Sequence, residues 1–489
     1  MHVHTFPAYD KEPFSMTVTP FKKILPSLVL ACFSMMAQAD GPSQPNIVVI
    51  LVDDLGYGEV GCYGQKIIQT PRLDKMAQEG MRFTHFYAGA TVCAPSRSVL
   101  MTGQHHGHTR VRGNAGRINP KAQALLDEDI TVAEVALDAG YRTALFGKWG
   151  LGNIGDAESG LPRRQGFQEF FGFLSQHRAH NHFPDYLWEN EEKVTLRNVV
   201  TPVGDYGGGY ATEAIEFADD LFAERALEFV SREDERPFFL YWSLVIPHAN
   251  NERSRALGNG AHVPTFGVYA DTNWSDQDKG HAAMITRMDE HVGHLLDRIR
   301  EKGMADTTLV IFTSDNGPHN ESRHDLTRFQ PAGPYSGIKR SLTDGGIRVP
   351  MIAWWPGHIP SGTQSAYAGS FADIMATVAE VAGVAPPPNT DSLSLVPELT
   401  GNPQQQKQHD FLYWEFHEGG FRQACLYKGR WKALRRLGEP VQLFDTDTDI
   451  AEKIDVSSKH PGITETVQNY LDTARWPNPN WIPKPRKKS

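Results

Sequence analysis

The chain has 489 residues, 40% of them hydrophobic and 22% charged, and its formal net charge is −10. This composition is typical of a globular protein with room for one large domain and a smaller one. The acidic balance gives no indication of nucleic-acid binding. It also means that an anionic ligand needs a local basic pocket, because the field of the whole chain repels it.

The N-terminal residues 1–39 are predicted to be a signal peptide. Lys22 and Lys23 precede an apolar run over residues 24–36, and Ala37-Gln38-Ala39 follows it. A basic start, an apolar stretch and an A-x-A site are typical of secretory signals. The run is too short for stable membrane insertion. We therefore expect a periplasmic or secreted protein, with lipoprotein anchoring at Cys32 as the alternative interpretation.

Short apolar runs alternate with helical patterns along the chain after the signal peptide. The predicted strands are residues 46–52, 142–146, 238–244, 308–313 and 349–354, and the predicted helices are residues 70–79, 131–139, 212–231 and 282–302. This alternation predicts an α/β fold with a large, mostly parallel sheet flanked by helices. Residues 155–200 and 248–279 are rich in Gly, Pro, Asn and His, and we expect long ordered loops that bind substrate.

A proline run at residues 386–388 marks a predicted domain boundary. We expect a catalytic α/β domain over residues 40–385 and a small α+β subdomain over residues 386–489. The second has predicted strands at residues 411–415, 430–435 and 441–444 and a predicted helix at residues 463–474.

Acidic side chains follow two of the predicted strands directly. Asp53 and Asp54 come after the first strand, and Asp315 and Asn316 come after the strand at residues 308–313. Ligands of open α/β sheets gather at the carboxyl ends of the strands, so these side chains should converge. Three carboxylates and an amide oxygen suit Ca²⁺ or Mg²⁺ better than Zn²⁺.

The segment Cys93-Ala94-Pro95-Ser96-Arg97 is predicted to open a helix that runs to about Thr102. Pro95 fits the first helical turn, and a helix N-terminus offers free N–H groups to an anion. Arg97 lies one turn further on and can donate to the same anion. The simpler interpretation makes Cys93 a small buried thiol.

Several segments together resemble the formylglycine-dependent sulfatases, an alkaline-phosphatase-like α/β family. The resemblance rests on C-x-P-S-R at Cys93, on VDDLGYGEVGCYG and TSDNGPH, and on the segments around Lys148, His248 and Lys339. These motifs follow the expected order from about residue 46 to residue 401.

The resemblance implies the roles of these residues. A maturation enzyme oxidises Cys93 to 3-oxoalanine (formylglycine), and the hydrated aldehyde attacks sulfur. One Ca²⁺ is bound by Asp53, Asp54, Asp315, Asn316 and the modified Cys93. Arg97 holds the hydrate, Lys148 and Lys339 contact the sulfate, and His248 is the general acid for the leaving alcohol.

One departure from the family pattern concerns the sulfate site. The segment at Lys148 reads G-K-W-G-L-G, with Gly150 where many members have histidine. We expect His180 to substitute for the missing donor and His319 to approach the ester. Resemblance to carbohydrate sulfatases suggests that Arg112 and Asn114 line a sugar site for sulfated galactose or N-acetylgalactosamine.

Two other functions remain open from the sequence. A phosphonate monoester hydrolase or phosphodiesterase of the same superfamily is one, and a non-catalytic glycan-binding protein is the other. The chain contains no Asp-His dipeptide, which favours one metal over two. The sequence also leaves open whether Cys62 and Cys425 pair or remain free thiols.

Overall fold

The computed structural model describes residues 44–116, 118–155 and 157–486, which contain 18 β-strands and 12 α-helices. The predicted signal peptide and Cys32 lie outside these residues. The strands are β1 (Asn46–Asp53), β2 (Met81–Phe83), β3 (Phe86–Tyr87), β4 (Arg142–Lys148), β5 (Glu169–Phe173), β6 (Tyr186–Glu189), β7 (Glu192–Thr195), β8 (Val199–Val203), β9 (Gly208–Glu213), β10 (Phe238–Pro247), β11 (Thr308–Ser314), β12 (Met351–Trp354), β13 (Thr363–Ser365), β14 (Gly369–Ser370), β15 (Phe411–Phe416), β16 (Arg422–Tyr427), β17 (Trp431–Arg436) and β18 (Gln442–Asp445).

The helices are α1 (Pro71–Glu79), α2 (Cys93–Thr102), α3 (Val132–Asp138), α4 (Gln176–Ala179), α5 (Ala218–Ser231), α6 (Asn251–Leu257), α7 (Asp276–Glu301), α8 (Leu326–Phe329), α9 (Asp344–Ile347), α10 (Asp373–Val381), α11 (Val396–Leu399) and α12 (Pro461–Thr473). None of these described helices has the length and apolar character needed to cross a membrane.

The main sheet has ten strands in the order β13-β2-β12-β11-β1-β10-β4-β5-β6-β7. Its centre, from β11 to β5, is parallel throughout. Antiparallel pairs attach β12 on one side and β6 and β7 on the other. The predicted mixed, mostly parallel sheet is confirmed.

The central strand β1 is covered on both faces, which explains its unbroken apolar sequence. Val48 and Ile50 face a core that includes residues of α5 and α7. Ile47 and Val49 face a second core that includes residues of α2, α3 and α10. This packing fixes the carboxyl end of β1 next to those of β10 and β11.

The C-terminal part is an antiparallel sheet in the order β15-β16-β17-β18 with α12 beside it. One face shares a core with Val467 and Leu471 of α12. The other face packs Trp414 and Leu426 against Tyr87 and Val92. The described residues between 44 and 486 form one compact unit. The α+β character is confirmed, whereas the boundary after residue 385 stays a prediction.

Four segments differ from the sequence predictions. Residues 212–217 are not helical, because β9 ends at Glu213 and α5 begins at Ala218. The predicted loop 155–200 contains β5, β6 and β7. Strand β16 was not predicted at all. The helix predicted from residue 282 begins at Asp276, where Ser275 accepts a hydrogen bond as N-cap.

The three cysteines in the described ranges, Cys62, Cys93 and Cys425, are all free thiols. Of the two alternatives for Cys62 and Cys425, the structure therefore has the unpaired one.

Candidate active site

The four predicted metal ligands lie together at the ends of two neighbouring strands. The backbone N–H of Asp54 donates to Asp315 Oδ1 at 3.2 Å, and Asn316 Nδ2 donates to Asp54 Oδ1 at 2.7 Å. This follows from the parallel register of β1 and β11, which sets Val52 opposite Ser314. Strand-end geometry thus brings the acidic pairs together.

Each buried carboxylate of this cluster has a buried cationic partner. The pairs are Asp53 with Lys148, Asp54 with Lys339 at 2.7 Å, and Asp315 with Arg97 at 2.9 Å. Burial and the charge of Asp53 raise the pKa of Asp315 to about 7. Burial also raises the pKa of Asp53, but Lys148, His248 and Arg97 outweigh it and hold that pKa well below its usual range.

The donor set of this cluster fits a hard divalent cation. Asn316 Oδ1 is buried and has no hydrogen-bond partner among the residues that the structure describes. Potential ligand atoms of Asp53, Asp54, Cys93 and His248 lie within 4.8 Å of one another. Carboxylate and amide oxygens are the ligands that Ca²⁺ and Mg²⁺ prefer. Such a cation would coordinate the unpartnered Asn316 Oδ1 together with the carboxylates beside it.

Cys93 is the first residue of α2 and faces the same cluster. Its Sγ lies 3.3 Å from Asp53 Oδ1. It lines a cavity of about 430 Å³ together with Lys148, His248 and Lys339. Burial and the charge of Asp53 raise the pKa of the Cys93 thiol well above its ordinary value. The unmodified thiol is therefore a poor nucleophile, because the thiolate is the reactive form.

Arg97 lies behind this cluster, with its nitrogens already engaged. Nε and Nη2 donate to Asp315 Oδ2, and Nη1 donates to the Lys148 carbonyl at 2.8 Å and to Ser243 Oγ. Arg97 thereby holds Asp315 and the end of β4 in place, and its predicted contact with the reacting group stays a prediction.

His248 follows the last residue of β10 and lies between the acidic cluster and the cavity. Its Nδ1 is 2.7 Å from the Ala249 carbonyl, and its Nε2 is 3.5 Å from Asp54 Oδ2. Burial and the charge of Lys339 lower the pKa of His248 well below its ordinary value. The imidazole is thus neutral before an anion binds, with Nδ1–H donating to the carbonyl.

Two of the predicted substrate residues line the cavity. The His180 ring stacks on His248 with 4.9 Å between centroids, and its Nδ1 lies 3.0 Å from Glu252 Oε2. Asn114 accepts a hydrogen bond from the Ala94 N–H at 3.2 Å, at the start of α2. His180 and Asn114 therefore flank the site from opposite elements.

The described lining of the cavity does not include Arg112 or His319. Arg112 is buried and donates to the carbonyls of Thr109 and Trp476, each at 2.9 Å. His319 donates to the Pro247 carbonyl at 3.0 Å and accepts from the Glu321 N–H at 2.9 Å. Their polar groups contact the backbone, and the predicted contact of these two residues with the substrate stays a prediction.

Gln176 is a cavity residue that sequence reasoning missed. A side chain at Gly150 would meet it, since a Cβ built there lies 2.7 Å from Gln176 Cγ. The buried Nε2 of Gln176 finds no hydrogen-bond partner in the described part of the chain. The sequence offered one signal, the departure at Gly150, but the histidines next to Gln176 drew the prediction to His180.

Comparison with known families covers most of this chain. The family model described as Sulfatase matches residues 45–384, and that described as N-sulphoglucosamine sulphohydrolase, C-terminal, matches residues 337–474. The N-acetylgalactosamine-6-sulfatase of Canis lupus familiaris is 32% identical over 76% of this chain and 69% of its own. Arylsulfatase A of Homo sapiens is 33% identical over 83% of this chain and 77% of its own.

The solved structures give a consistent result. The crystal structure of Ps i-CgsB in complex with k-i-k-neocarrahexaose superposes with a TM-score of 0.74 at 25% identity. It covers 90% of this chain and 95% of its own. The expected alkaline-phosphatase-like fold, with its small C-terminal sheet, is confirmed.

Proposed function

Because the chain belongs to the sulfatase family, whose members are sulfuric ester hydrolases, we propose that it acts on sulfated carbohydrates through a formylglycine made from Cys93. The observation that carries the proposal is the position of Cys93. It opens α2 inside a cavity lined by two buried lysines and stands against three buried carboxylates.

The chain's own charges prepare this cavity for a sulfate group. Lys148 and Lys339 line it and are almost fully buried, so their charges act in a medium of low dielectric constant. Asp53 and Asp54 hold the two ammonium groups in place. Arg97 pairs with Asp315 and so holds this carboxylate in place within the acidic cluster.

Two further groups complete the proposal. A formylglycine at residue 93 would supply a hydrated aldehyde as the nucleophile. Asp53, Asp54, Asp315, Asn316 and the modified Cys93 would hold Ca²⁺, which would supply positive charge for the sulfate group. A separate maturation enzyme is required for the oxidation of Cys93.

His248 is the residue that protonates the leaving alcohol. His248 lines the cavity, its Nε2 lies 3.5 Å from Asp54 Oδ2, and its Nδ1 donates to the Ala249 carbonyl. A sulfate anion next to the ring favours the charged imidazolium, so substrate binding raises the low pKa of His248. The proton then lies on Nε2, next to the ester oxygen.

The substrate proposed is a sulfated galactose or N-acetylgalactosamine unit. One relative is named for N-acetylgalactosamine-6-sulfate, and one similar structure holds k-i-k-neocarrahexaose. Export to the periplasm or the medium follows from the predicted signal peptide, with lipoprotein anchoring as the alternative.

The test is release of inorganic sulfate by the parent protein, Cys93→Ala and Cys425→Ala, with residue 93 examined by mass spectrometry. The substrates are an aryl sulfate, N-acetylgalactosamine 6-sulfate and k-i-k-neocarrahexaose. We expect release by the parent and by Cys425→Ala, which removes another buried free thiol, and none by Cys93→Ala.

Sulfate release by Cys93→Ala would contradict the proposed nucleophile. A parent protein with oxidised Cys93 that releases no sulfate, but cleaves a phosphonate monoester, would replace the sulfatase proposal by the phosphonate one.

A further inference from the structure

A second cavity of about 560 Å³ adjoins the one that contains Cys93. The two cavities share the lining residues Gly116, Gln123, Gln176, His177 and Tyr206. Both volumes lie in the range of small-molecule sites. The shared residues place the two cavities side by side, and we call the second one the outer compartment.

The outer compartment has an aromatic wall. Tyr186 and Trp188 lie on β6, with their rings edge to face and 5.7 Å between centroids. Aromatic rings offer flat, apolar surfaces with a polar rim, which suit the mixed faces of a sugar ring. The wall is therefore built for a carbohydrate-like ligand.

A lysine lies over these rings and faces the same compartment. Lys193, on β7, pairs with Trp188 in the β6–β7 register. Its Nζ is 4.4 Å from the Tyr186 centroid and 5.3 Å from the Trp188 centroid. No carboxylate within residues 44–116, 118–155 or 157–486 forms an ion pair with it. Its ammonium group remains available to an anion.

A second cation lies beside the same ring. The guanidinium carbon of Arg178 lies 3.4 Å from the Tyr186 centroid, and Asp185 pairs with one of its nitrogens. Its buried Nε finds no hydrogen-bond partner among the described residues. Of the residues that the structure describes, one carboxylate, Asp205, also lines this compartment. Because Asp185 balances the charge of Arg178, Lys193 is the cation of this wall that can meet an anion.

We propose that this outer compartment is a subsite for a neighbouring sugar residue that carries a negative charge, next to the sugar whose sulfate is cleaved. The inference rests on the proposed function and names its substrate class, an oligosaccharide with anionic groups on two adjacent sugars. The anionic group of the neighbouring sugar is a sulfate ester or a uronate carboxylate. Trp188 contacts the ring of that sugar, and Lys193, which lies over Tyr186 and Trp188, contacts its charge.

The test compares the kinetics of sulfate release from N-acetylgalactosamine 6-sulfate with those from three disaccharides that contain this unit. The neighbouring sugar is neutral in the first, sulfated in the second and a uronate in the third. The variant is Lys193→Met, which keeps the apolar stem. The matched control is Lys428→Met, since Lys428 also lies over a tyrosine ring, Tyr427, but lines neither cavity.

In the parent and in Lys428→Met, we expect a lower KM for the anionic disaccharides than for the monosaccharide. Lys193→Met should raise the KM for an anionic disaccharide about tenfold, the loss of one charged contact. It should leave the monosaccharide and the neutral disaccharide unchanged. The disaccharide whose KM rises in Lys193→Met, the sulfated one or the one with a uronate, identifies the anion.

An equal effect of Lys193→Met on all substrates, or no effect on any, overturns the subsite. If the parent releases no sulfate at all, the proposed function fails first. Calorimetric binding of the same disaccharides to the parent and Lys193→Met then decides the subsite separately, and equal affinities overturn it.

Discussion

At the scale of single residues, Gly150 and Gln176 show how neighbouring strands share a site. Strands β4 and β5 are parallel, with Lys148 opposite Phe173, and the Gly150 N–H donates to the Leu174 carbonyl at 3.1 Å. The residues just beyond the two strands therefore lie side by side. Gln176 occupies the space that a side chain at position 150 would need.

Gln176→Ala should lower kcat/KM for sulfate release by about tenfold to a hundredfold. The Gln176 amide is a buried donor in the cavity that Lys148 and Lys339 also line, and a hydrogen bond to a charged group contributes about 1.5–3 kcal/mol. Gln176→Glu should be slower still, because its charge repels sulfate. The measurement is steady-state kinetics on N-acetylgalactosamine 6-sulfate.

The control for Gln176 is Gln168→Ala, an exposed glutamine of the same region that lines neither cavity. A Gln176→Ala variant that keeps the kcat/KM of the parent would show that the amide does not meet the substrate.

The sequence predicted that the candidate site residues at the ends of neighbouring strands lie close together. Asp53, Asp54, Asp315 and Asn316 converge because parallel neighbours end at one edge. The places of Arg112 and His319 depend on which backbone groups each side chain contacts. Each has one partner close in sequence, the Thr109 carbonyl for Arg112 and the Glu321 N–H for His319. The other partners, the carbonyls of Trp476 and Pro247, come from distant segments, of which the local sequence carries no signal.

At the scale of elements, the long strands that are buried on both faces were predicted, whereas several short strands of mixed composition were not. β1, β10 and β11 are buried on both faces and consist of long apolar runs. β6, β7 and β16 are short and mixed in composition. Their pairing depends on the strand beside them, because β-propensity depends on context.

A buried ionic cluster joins the C-terminal sheet to the loop that carries Lys339. Lys432 of β17 is fully buried, and its Nζ lies 2.8 Å from Asp344 Oδ1 and 3.3 Å from Glu452 Oε1. Burial raises the pKa of Asp344, but Lys432 and Arg348 outweigh it and lower this pKa to about 2. Asp344 opens α9, in the same segment as Lys339.

Lys432→Met should lower the free energy of unfolding by about 3–5 kcal/mol, because it leaves buried carboxylates without their cation. The measurement is urea unfolding at pH 7, followed by tryptophan fluorescence. Lys453→Met, at an exposed lysine of the same region, is the control and should unfold like the parent. Equal midpoints for Lys432→Met and the parent would show that the cluster contributes nothing to stability.

At the scale of the whole molecule, we expect the acidic cluster to link metal binding to the stability of the main sheet. Asp53 is the last residue of the central strand β1, Asp54 follows it, and Asp315 directly follows the neighbouring strand β11. All three carboxylates are fully buried. The lysines and Arg97 reduce their repulsion, but the unpartnered Asn316 Oδ1 remains. A bound cation should therefore stabilise the folded chain as a unit.

Removing divalent cations with EGTA should lower the melting temperature of the parent, and added Ca²⁺ should restore it. A ligand that binds only the folded state contributes about 2.7 kcal/mol at a free concentration one hundred times its Kd. Asn316→Ala removes one oxygen ligand and should weaken the dependence of the melting temperature on Ca²⁺. Asn469→Ala, on the exposed side of α12, should keep it. A parent protein that melts at the same temperature in EGTA and in Ca²⁺ would mean that the three carboxylates are balanced by Lys148, Lys339 and Arg97 alone.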